Sequence, residues 1–201
     1  MNNLKEIIER TKSRFEIKTV KFRRDDLAMI TVEKDEVIGL LTHLRDLEGF
    51  GHLVLISAVD WIEKGTFQLT YILRSYREKA DIAVRVEIPR DNPVMESAHH
   101  LWASARVYQQ ELKEMYGIDF PGNPRVDEPF VLEGWDNIPP MRRDFDTAKY
   151  SEETFFPREG RYSIKPKDSL EEKAFPLEGK VKREIIELLR GKEKGRGVDN
   201  E

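Results

Sequence analysis

Hydrophobic positions near the start of the chain recur twice at helical spacing. Leu4 and Ile7 belong to a stripe that predicts a helix over about residues 3–14. The second stripe consists of Val37, Leu40, Leu41, Leu44 and Leu47. Asp35 is placed to cap the start of this second helix, and Gly49 is placed to end it.

Elsewhere in the first half of the chain, apolar and polar positions alternate, which is the period of a half-buried strand. The alternating segments are "FEIKTVKF", "HLVLISAVDWI", "TFQLTYILRS" and "ADIAVRVEIP". Gly65 separates the second from the third and can adopt the positive φ that a tight turn requires. In the last segment Ile82 and Val84 face one way while Arg85 faces the other, so we expect a sheet with helices on one face.

The strongest helical stripe follows these strands and consists of Leu101, Ala105, Tyr108, Leu112 and Met115. Gly117 is placed to end it. We therefore predict an α+β fold: a two-layer domain over residues 1–117 in which helices cover a mixed β-sheet. Residues 118–201 are predicted to form a long extended C-terminal arm with a short terminal helix in "GKVKREIIELLRG".

The segment "EMYGIDFPGNPRVDEPFVLEGWDNIPPMRRDF", residues 114–145, has no sustained period. It holds too many large apolar side chains for a disordered segment and too little regular structure to close a core alone. Trp135 is predicted to anchor an interface, and "PPMRRDF" joins rigid extended backbone to guanidinium groups that can bind carboxylates. We expect the isolated chain to be structured to about Gly117 and to need a partner protein beyond it.

Composition narrows the classes of function. The 201-residue chain has no cysteine, which excludes disulfides, Cys-ligated zinc, iron–sulfur clusters and thiol nucleophiles. Its formal charge of −4 is spread over alternating acidic and basic residues, so no nucleic-acid footprint is indicated. Without a long apolar run or a signal-peptide region, a soluble intracellular chain with no membrane span is expected. Abundant Lys and Glu are typical of proteins from hot habitats.

Histidines and two glutamates are the candidates for chemistry. The histidines are His43, His52, His99 and His100. No Cys or HExxH pattern accompanies them, so surface or boundary positions are favoured over a metal site. Glu111 and Glu114 share one face of the last predicted helix; they either serve as acid–base groups of a small stand-alone enzyme, with Arg142, or pair with Arg142 or Arg143 as structural partners. A regulatory binding module is a third alternative.

Several segments resemble, in the same order, the NuoC-type (30-kDa) subunit of respiratory complex I and its relatives in membrane-bound NiFe hydrogenases. They are "LISAVDW", "RVEIPRDNPVMESAHHLWASARVYQQELKEMYGIDFPGNP" and "LEGWDNIPPMRRDF", within about residues 36–145. The most specific are "YGIDFPGNP" after an amphipathic helix and the tryptophan followed by "PMRRDF".

This resemblance implies a non-catalytic assembly subunit with no redox centre, in the peripheral arm of a complex I-like oxidoreductase on the cytoplasmic side of the membrane. Its expected partners are a hydrogenase-like large subunit, a cluster-binding small subunit and a ferredoxin-like subunit, which carry the iron–sulfur clusters and, in a hydrogenase, the NiFe centre. The residues expected to bind a partner are Glu111, Glu114, Tyr116, Phe120, Pro124, Trp135, Pro140, Arg142, Arg143, Asp144, Phe145, Phe155 and Phe156.

The chain also departs from the family pattern. Gln109, Gln110 and Glu111 stand where that family usually has Glu-Arg-Glu, and Asn123 stands where a His commonly precedes the proline. With the composition and the long tail, these departures favour an archaeal relative in a membrane-bound hydrogenase or sulfane reductase complex. The alternative is the NuoC-type subunit of a quinone- or phenazine-reducing NADH or F(420)H(2) dehydrogenase.

Overall fold

The computed structural model describes residues 3–154. The regular elements are α1 (Asn3–Lys12), β1 (Ile17–Arg24), β2 (Leu27–Val32), α2 (Val37–Asp46), β3 (His52–Trp61), β4 (Thr66–Ser75), β5 (Ala80–Pro89), α3 (Ala105–Tyr116) and α4 (Thr147–Thr154). The predicted terminal helix, together with Phe155 and Phe156, lies outside the described residues. None of the helices in the described part is both long and apolar enough to cross a membrane.

The five strands form one mixed sheet in the order β1-β2-β5-β4-β3. β2 runs parallel to β5, and the other three pairs are antiparallel. The sequence prediction omitted β2, although burial alternates along its six residues. A strand this short offers only three inward positions, which is a weak periodic signal. The strand order leaves β1 and β3 as the edges of the sheet.

One face of the sheet is covered by the helices. Tyr71 of β4 and Val84 of β5 are fully buried, and they share a core with Ile8 of α1, Leu41 of α2 and Leu112 of α3. The apolar stripes that predict these three helices therefore meet one face of the sheet, as amphipathic helices do. The predicted α+β class, with helices over a mixed sheet, is confirmed.

Helix starts differ from the prediction. Asp35 does not cap α2; it lies in a 3₁₀ turn before the helix, and the capping position belongs to Glu36, whose side chain makes no capping hydrogen bond. α3 begins at Ala105, so Leu101 precedes the helix. Its end is as predicted, because Gly117 has φ +76° and its N–H donates to the Lys113 carbonyl.

The compact unit extends past the boundary that the sequence predicts after Gly117. Ile118 and Phe120 are fully buried in the core of the domain. Asp119 forms a parallel bridge with Val94, with main-chain hydrogen bonds to Pro93 and Met95 on either side. The first compact unit consequently runs from Met1 to Thr147, and a second begins at Ala148.

Candidate functional site: a docking surface

Four charged residues hold residues 143–144 at the ends of β3 and β5. We call them the Asp60 cluster: Asp60, Arg90, Arg143 and Asp144. Asp60 lies near the end of β3, with 1% of its side chain exposed. Arg90 donates from Nε to Asp60 Oδ1 over 2.9 Å and from Nη2 to Asp60 Oδ2 over 3.2 Å. Its Nη2 also donates to Asp144 Oδ1 over 2.6 Å. The backbone N–H of Arg143 completes the cluster by donating to Asp60 Oδ2 over 3.0 Å.

Asp60 and Arg90 hold their charges at neutral pH. Burial alone would raise the pKa of Asp60, but the hydrogen bonds from Arg90 and from the Arg143 amide outweigh it and leave that pKa lowered. The same contact with Asp60 raises the pKa of Arg90. A buried carboxylate that has two guanidinium bonds and one amide bond satisfies the usual condition for keeping a charge out of water.

Arg142 closes the C-terminal end of α3. Its Nε donates to the Tyr116 carbonyl over 2.7 Å, and its guanidinium carbon lies 5.5 Å from the centre of the Phe67 ring. The neighbouring Met141 N–H donates to the Met115 carbonyl over 3.0 Å. A cation at this position stabilises both the last carbonyl groups and the helix dipole. The cation that the sequence predicts at this helix end is present, bonded to the backbone instead of to Glu111 or Glu114.

Glu114 has a different partner from those expected. Its carboxylate accepts the backbone N–H groups of Phe130, Val131 and Leu132 over 2.7, 2.9 and 3.0 Å. Glu111 is exposed to solvent. Because both oxygens of Glu114 already accept backbone hydrogen bonds, the arrangement does not present a paired acid and base with Arg142 in a cleft.

Trp135 and Phe145 pack against each other, with ring centroids 5.6 Å apart and planes at 59°. The Trp135 indole donates to the Ile138 carbonyl over 3.0 Å, which folds residues 135–138 into a compact turn. Both rings are half-buried, as are Tyr116 and Pro140. Among the other predicted contact residues, Pro124, Arg143 and Asp144 are exposed, and Arg142 is half-buried. Phe120 lies in the core and is not part of the surface.

These contacts change the expectation for the segment after Gly117. The sequence predicts that a partner must hold it, whereas the chain's own domain holds its backbone through Asp60, Glu114 and the end of α3. Such contacts join residues up to 83 positions apart, and periodicity carries no information about them. What the domain leaves uncovered is a set of apolar side chains.

Six of the exposed apolar side chains lie on residues 130–141 or at the end of β3 and are a candidate contact area. We call them the docking surface: Trp61, Ile62, Phe130, Val131, Ile138 and Met141. Their exposures range from 38% for Trp61 to 64% for Val131. Arg143 joins the two parts of the surface, because its Nη1 donates to Glu63 Oε1 over 2.5 Å, directly after Ile62. Sequence reasoning did not select Trp61 and Ile62; the available signal was two consecutive large apolar residues at a strand end, of which only one can face the core.

The histidines form no metal site in the described residues, which contain no group of three metal-ligating side chains. His52 and His100 are exposed and His99 is half-buried, but His43 is buried at 7% exposure, so the surface or boundary position expected for it is wrong. Its ring packs 5.3 Å from that of Phe15. Burial, the largest effect, lowers the pKa of His43 despite the nearby Glu48 carboxylate.

Comparison with known proteins places this fold in a family. The family described as "Respiratory-chain NADH dehydrogenase, 30 Kd subunit" matches residues 30–151. The chain is 31% identical to the C subunit of the NADH-quinone oxidoreductase of Moorella thermoacetica, over 60% of this chain and 80% of the relative. It is 29% identical to the C subunit of the F(420)H(2) dehydrogenase of Methanosarcina mazei, over 57% of this chain and 73% of the relative.

A solved structure shares the architecture. In the membrane-bound sulfane sulfur reductase, described as an archaeal respiratory membrane complex, one chain superposes with a TM-score of 0.73 at 23% identity, covering 82% of this chain and 97% of that one. This likeness shows the fold. Because the family match spans more than half of the sequence, from β2 through α3 to the Asp60 cluster, the resemblance in "YGIDFPGNP" and "PMRRDF" is confirmed, and the chain belongs to the 30-kDa subunit family of respiratory-chain NADH dehydrogenase.

Proposed function

We propose that this chain is a non-catalytic assembly subunit of a complex I-like, membrane-bound oxidoreductase, and that its docking surface binds the hydrogenase-like large subunit. Family membership and the subunit names of its relatives support a place in such a complex. The chain then sits peripherally on the cytoplasmic side of the membrane. A cluster-binding small subunit and a ferredoxin-like subunit are its further partners, and these neighbours carry the iron–sulfur clusters and any NiFe centre.

The observation that carries this proposal is that residues 128–145 combine a backbone bonded to the domain with exposed apolar side chains. Backbone N–H groups at residues 130–132 and at Arg143 donate to Glu114 and Asp60, while Val131 and Met141 remain 64% and 55% exposed. An ordered backbone that displays large apolar side chains is suited to association, because little further ordering is needed when a partner binds. Burying one such side chain fully contributes about 1.5–3 kcal/mol.

The absence of catalysis in this chain is part of the proposal. Two carboxylates that hold the backbone beside the docking surface are engaged: Glu114 accepts three backbone hydrogen bonds, and Asp60 accepts three from Arg90 and Arg143. A general base must be free to reach the proton that it abstracts. We therefore assign these groups to holding the surface in shape.

Two settings fit the family. A sulfane reductase or hydrogenase-type complex is favoured by the superposition over 82% of this chain. An NADH or F(420)H(2) dehydrogenase is the second candidate, favoured by the identities of about three residues in ten with the matching subunits of those enzymes. The identity of the large subunit that is recovered with the chain decides between them.

A charged substitution in the docking surface tests the proposal. Met141→Glu places a carboxylate where the partner is expected to be apolar, and we predict at least tenfold lower recovery of the large subunit with the affinity-tagged full-length chain, a loss of about 1.4 kcal/mol or more. The matched control is Leu47→Glu, at a position 63% exposed just after α2. It should leave recovery unchanged.

Thermal unfolding of both variants checks that neither change destabilises the domain. Equal recovery with Met141→Glu and with the unmodified chain would refute the docking surface. A tagged chain that carries no other subunit at all would refute membership in the complex.

A further inference from the structure

The second face of the sheet carries side chains that the helices do not cover. Along β4 the buried residues alternate with half-buried ones, and the half-buried set includes Thr70 and Ile72. In β5, Ala83 and Arg85 point the same way as these residues, away from the core formed by Val84 and its neighbours. We call this side the open face.

Strand register orders the open face into rows. One row is polar and crosses the whole sheet: Thr19, Thr31, Arg85, Thr70 and Ser57. The adjacent row is largely apolar: Lys21, Met29, Ala83, Ile72 and Leu55. Cross-strand neighbours lie about 4.5–5.5 Å apart, so the two rows present an apolar strip beside a polar one with an arginine at its centre.

Arg85 differs from the other charged residues of β4 and β5 on this face. Arg74 donates twice to Asp81, over 2.8 and 2.9 Å, and Glu87 lies 3.6 Å from Lys64. Arg85 has no side-chain hydrogen bond or ion pair within the described part of the chain, and its Nε is buried without an acceptor. A buried N–H group that lacks an acceptor is costly, so such a group marks a place where a further partner is missing.

A second buried polar atom without a hydrogen-bond partner lies on the same face. Thr66 Oγ1, near the β3–β4 turn, is also buried without a hydrogen-bond partner. In the register, Thr66 stands opposite Trp61, so the open face meets the docking surface at that end of β3. The two unsatisfied polar atoms are therefore on a surface that is continuous with the proposed interface.

We propose that the open face is a second binding surface, which takes a polypeptide segment from a neighbouring protein of the complex, with an Asp or Glu between aliphatic side chains. The carboxylate pairs with the guanidinium of Arg85, and the aliphatic groups pack on Met29 and Ile72. A planar guanidinium binds a carboxylate through two parallel hydrogen bonds, which satisfies the buried Nε. This inference rests on the proposed place of the chain in a complex.

Charge on the open face favours a protein carboxylate over a polyanion. Asp81 and Glu87 of β5 lie on the same face as Arg85, and the whole chain has a formal charge of −4. A nucleic acid or an anionic lipid surface needs several cations in a group without interspersed carboxylates. Arg85, which lies between hydroxyl groups and beside aliphatic side chains, instead matches the composition of a protein interface centre.

Photo-cross-linking in the assembled complex tests the open face. p-Benzoylphenylalanine in place of Thr70, beside Arg85 in the register, should cross-link to a different protein of the complex, at a peptide with an Asp or Glu within a few residues of the modified position. The same group in place of Leu47 serves as the control for random labelling. Cross-links only to residues 155–201 of the same chain, or none at all, would overturn the inference.

Charge removal gives the second measurement. Arg85→Gln should lower retention of the chain in the complex about tenfold under a salt wash. It should not lower the melting temperature of the free chain, because within residues 3–154 the guanidinium has no hydrogen bond or ion pair to lose and its Nε is buried without an acceptor. Arg14→Gln removes the same charge from an exposed position after α1 and should have no effect.

The outcomes separate the two proposals. A chain that co-purifies with its large subunit but shows no intermolecular cross-link from position 70, or is unaffected by Arg85→Gln, overturns the open-face proposal and leaves the docking surface standing. A chain that never co-purifies overturns both.

Discussion

At the scale of single residues, Asp60 decides where the C-terminal part of the compact unit lies. Its carboxylate accepts hydrogen bonds from Arg90 and from the Arg143 backbone, so one side chain joins β3, β5 and the arm. The sequence predicts a contact role for Arg142, Arg143 and Asp144 but not for Asp60. In "LISAVDW" an aspartate near the end of a strand resembles an ordinary turn residue.

Replacing the Asp60 carboxylate should free residues 143–144 from the end of β3. Asp60→Asn keeps the shape but leaves Arg90 without its buried counter-charge, and we expect a loss on the order of 3 kcal/mol in the free energy of unfolding at pH 7. Urea titration measures the loss. The control is Asp81→Asn in the other doubly bonded pair, with Arg74, where the exposed fractions of the side chains are 16% and 37%, so the loss should be below about 1 kcal/mol.

The pH dependence has a defined sign. The pKa of Asp60 is lower in the folded chain than in the unfolded one, so its contribution is present above the ordinary value of 3.8 and is lost as the pH falls through the folded pKa. The difference in stability between the wild-type chain and Asp60→Asn should therefore shrink in acid. A difference that stays constant from pH 7 to well below the ordinary pKa of 3.8 would contradict the assignment.

At the scale of elements, the junction between α3 and the arm depends on a glycine. Gly117 has φ +76°, and a Cβ built on it would lie 3.0 Å from Arg142 Nη2 and 3.2 Å from Pro139 Cγ. Pro139 and Arg142 therefore fill the space beside the helix end that a side chain at position 117 would need. The sequence predicts the helix stop but not this approach of Pro139, because it is a tertiary contact.

Gly117→Ala should consequently lower the free energy of unfolding by more than the strain of an alanine with positive φ alone. Positive φ costs about 1–2 kcal/mol for a residue with a Cβ, and overpacking against Arg142 and Pro139 adds about 1–3 kcal/mol. Gly65→Ala is the matched control, because Gly65 has φ +65° with no atom within 4 Å of the added carbon. Equal losses in urea unfolding for the two variants would show that the arm does not press on Gly117.

Most elements of the fold follow from periodicity, as particular cases show. The stripes of α1, α2 and α3 contain Ile8, Leu41 and Leu112, all of which are buried in the core. The ordered backbone of residues 130–143 was not predicted. It is held by hydrogen bonds to Glu114 and Asp60, which depend on the three-dimensional arrangement and not on local pattern. The excess of apolar residues in that segment was nevertheless visible, and it corresponds to the exposed Val131 and Met141.

At the scale of the whole compact unit, one face of the sheet closes the core, and two further surfaces are the ones that we propose partners cover. The helices bury Tyr71 and its neighbours on the first face. The docking surface lies at the end of β3 and along the arm, and the open face with Arg85 adjoins it through Trp61 and Thr66. A domain with this distribution of uncovered apolar and unpaired groups is suited to a position between other subunits.

Oxidative footprinting of the free chain and of the assembled complex tests the central claim, that the docking surface is covered by the large subunit. Hydroxyl radicals oxidise exposed Met and Trp side chains, and mass spectrometry reads the extent at each residue. We expect Met141 and Trp61 to be oxidised in the free chain and protected in the complex, while Tyr76, at 70% exposure, is modified equally in both. Equal oxidation of Met141 in the free chain and in the complex would contradict it.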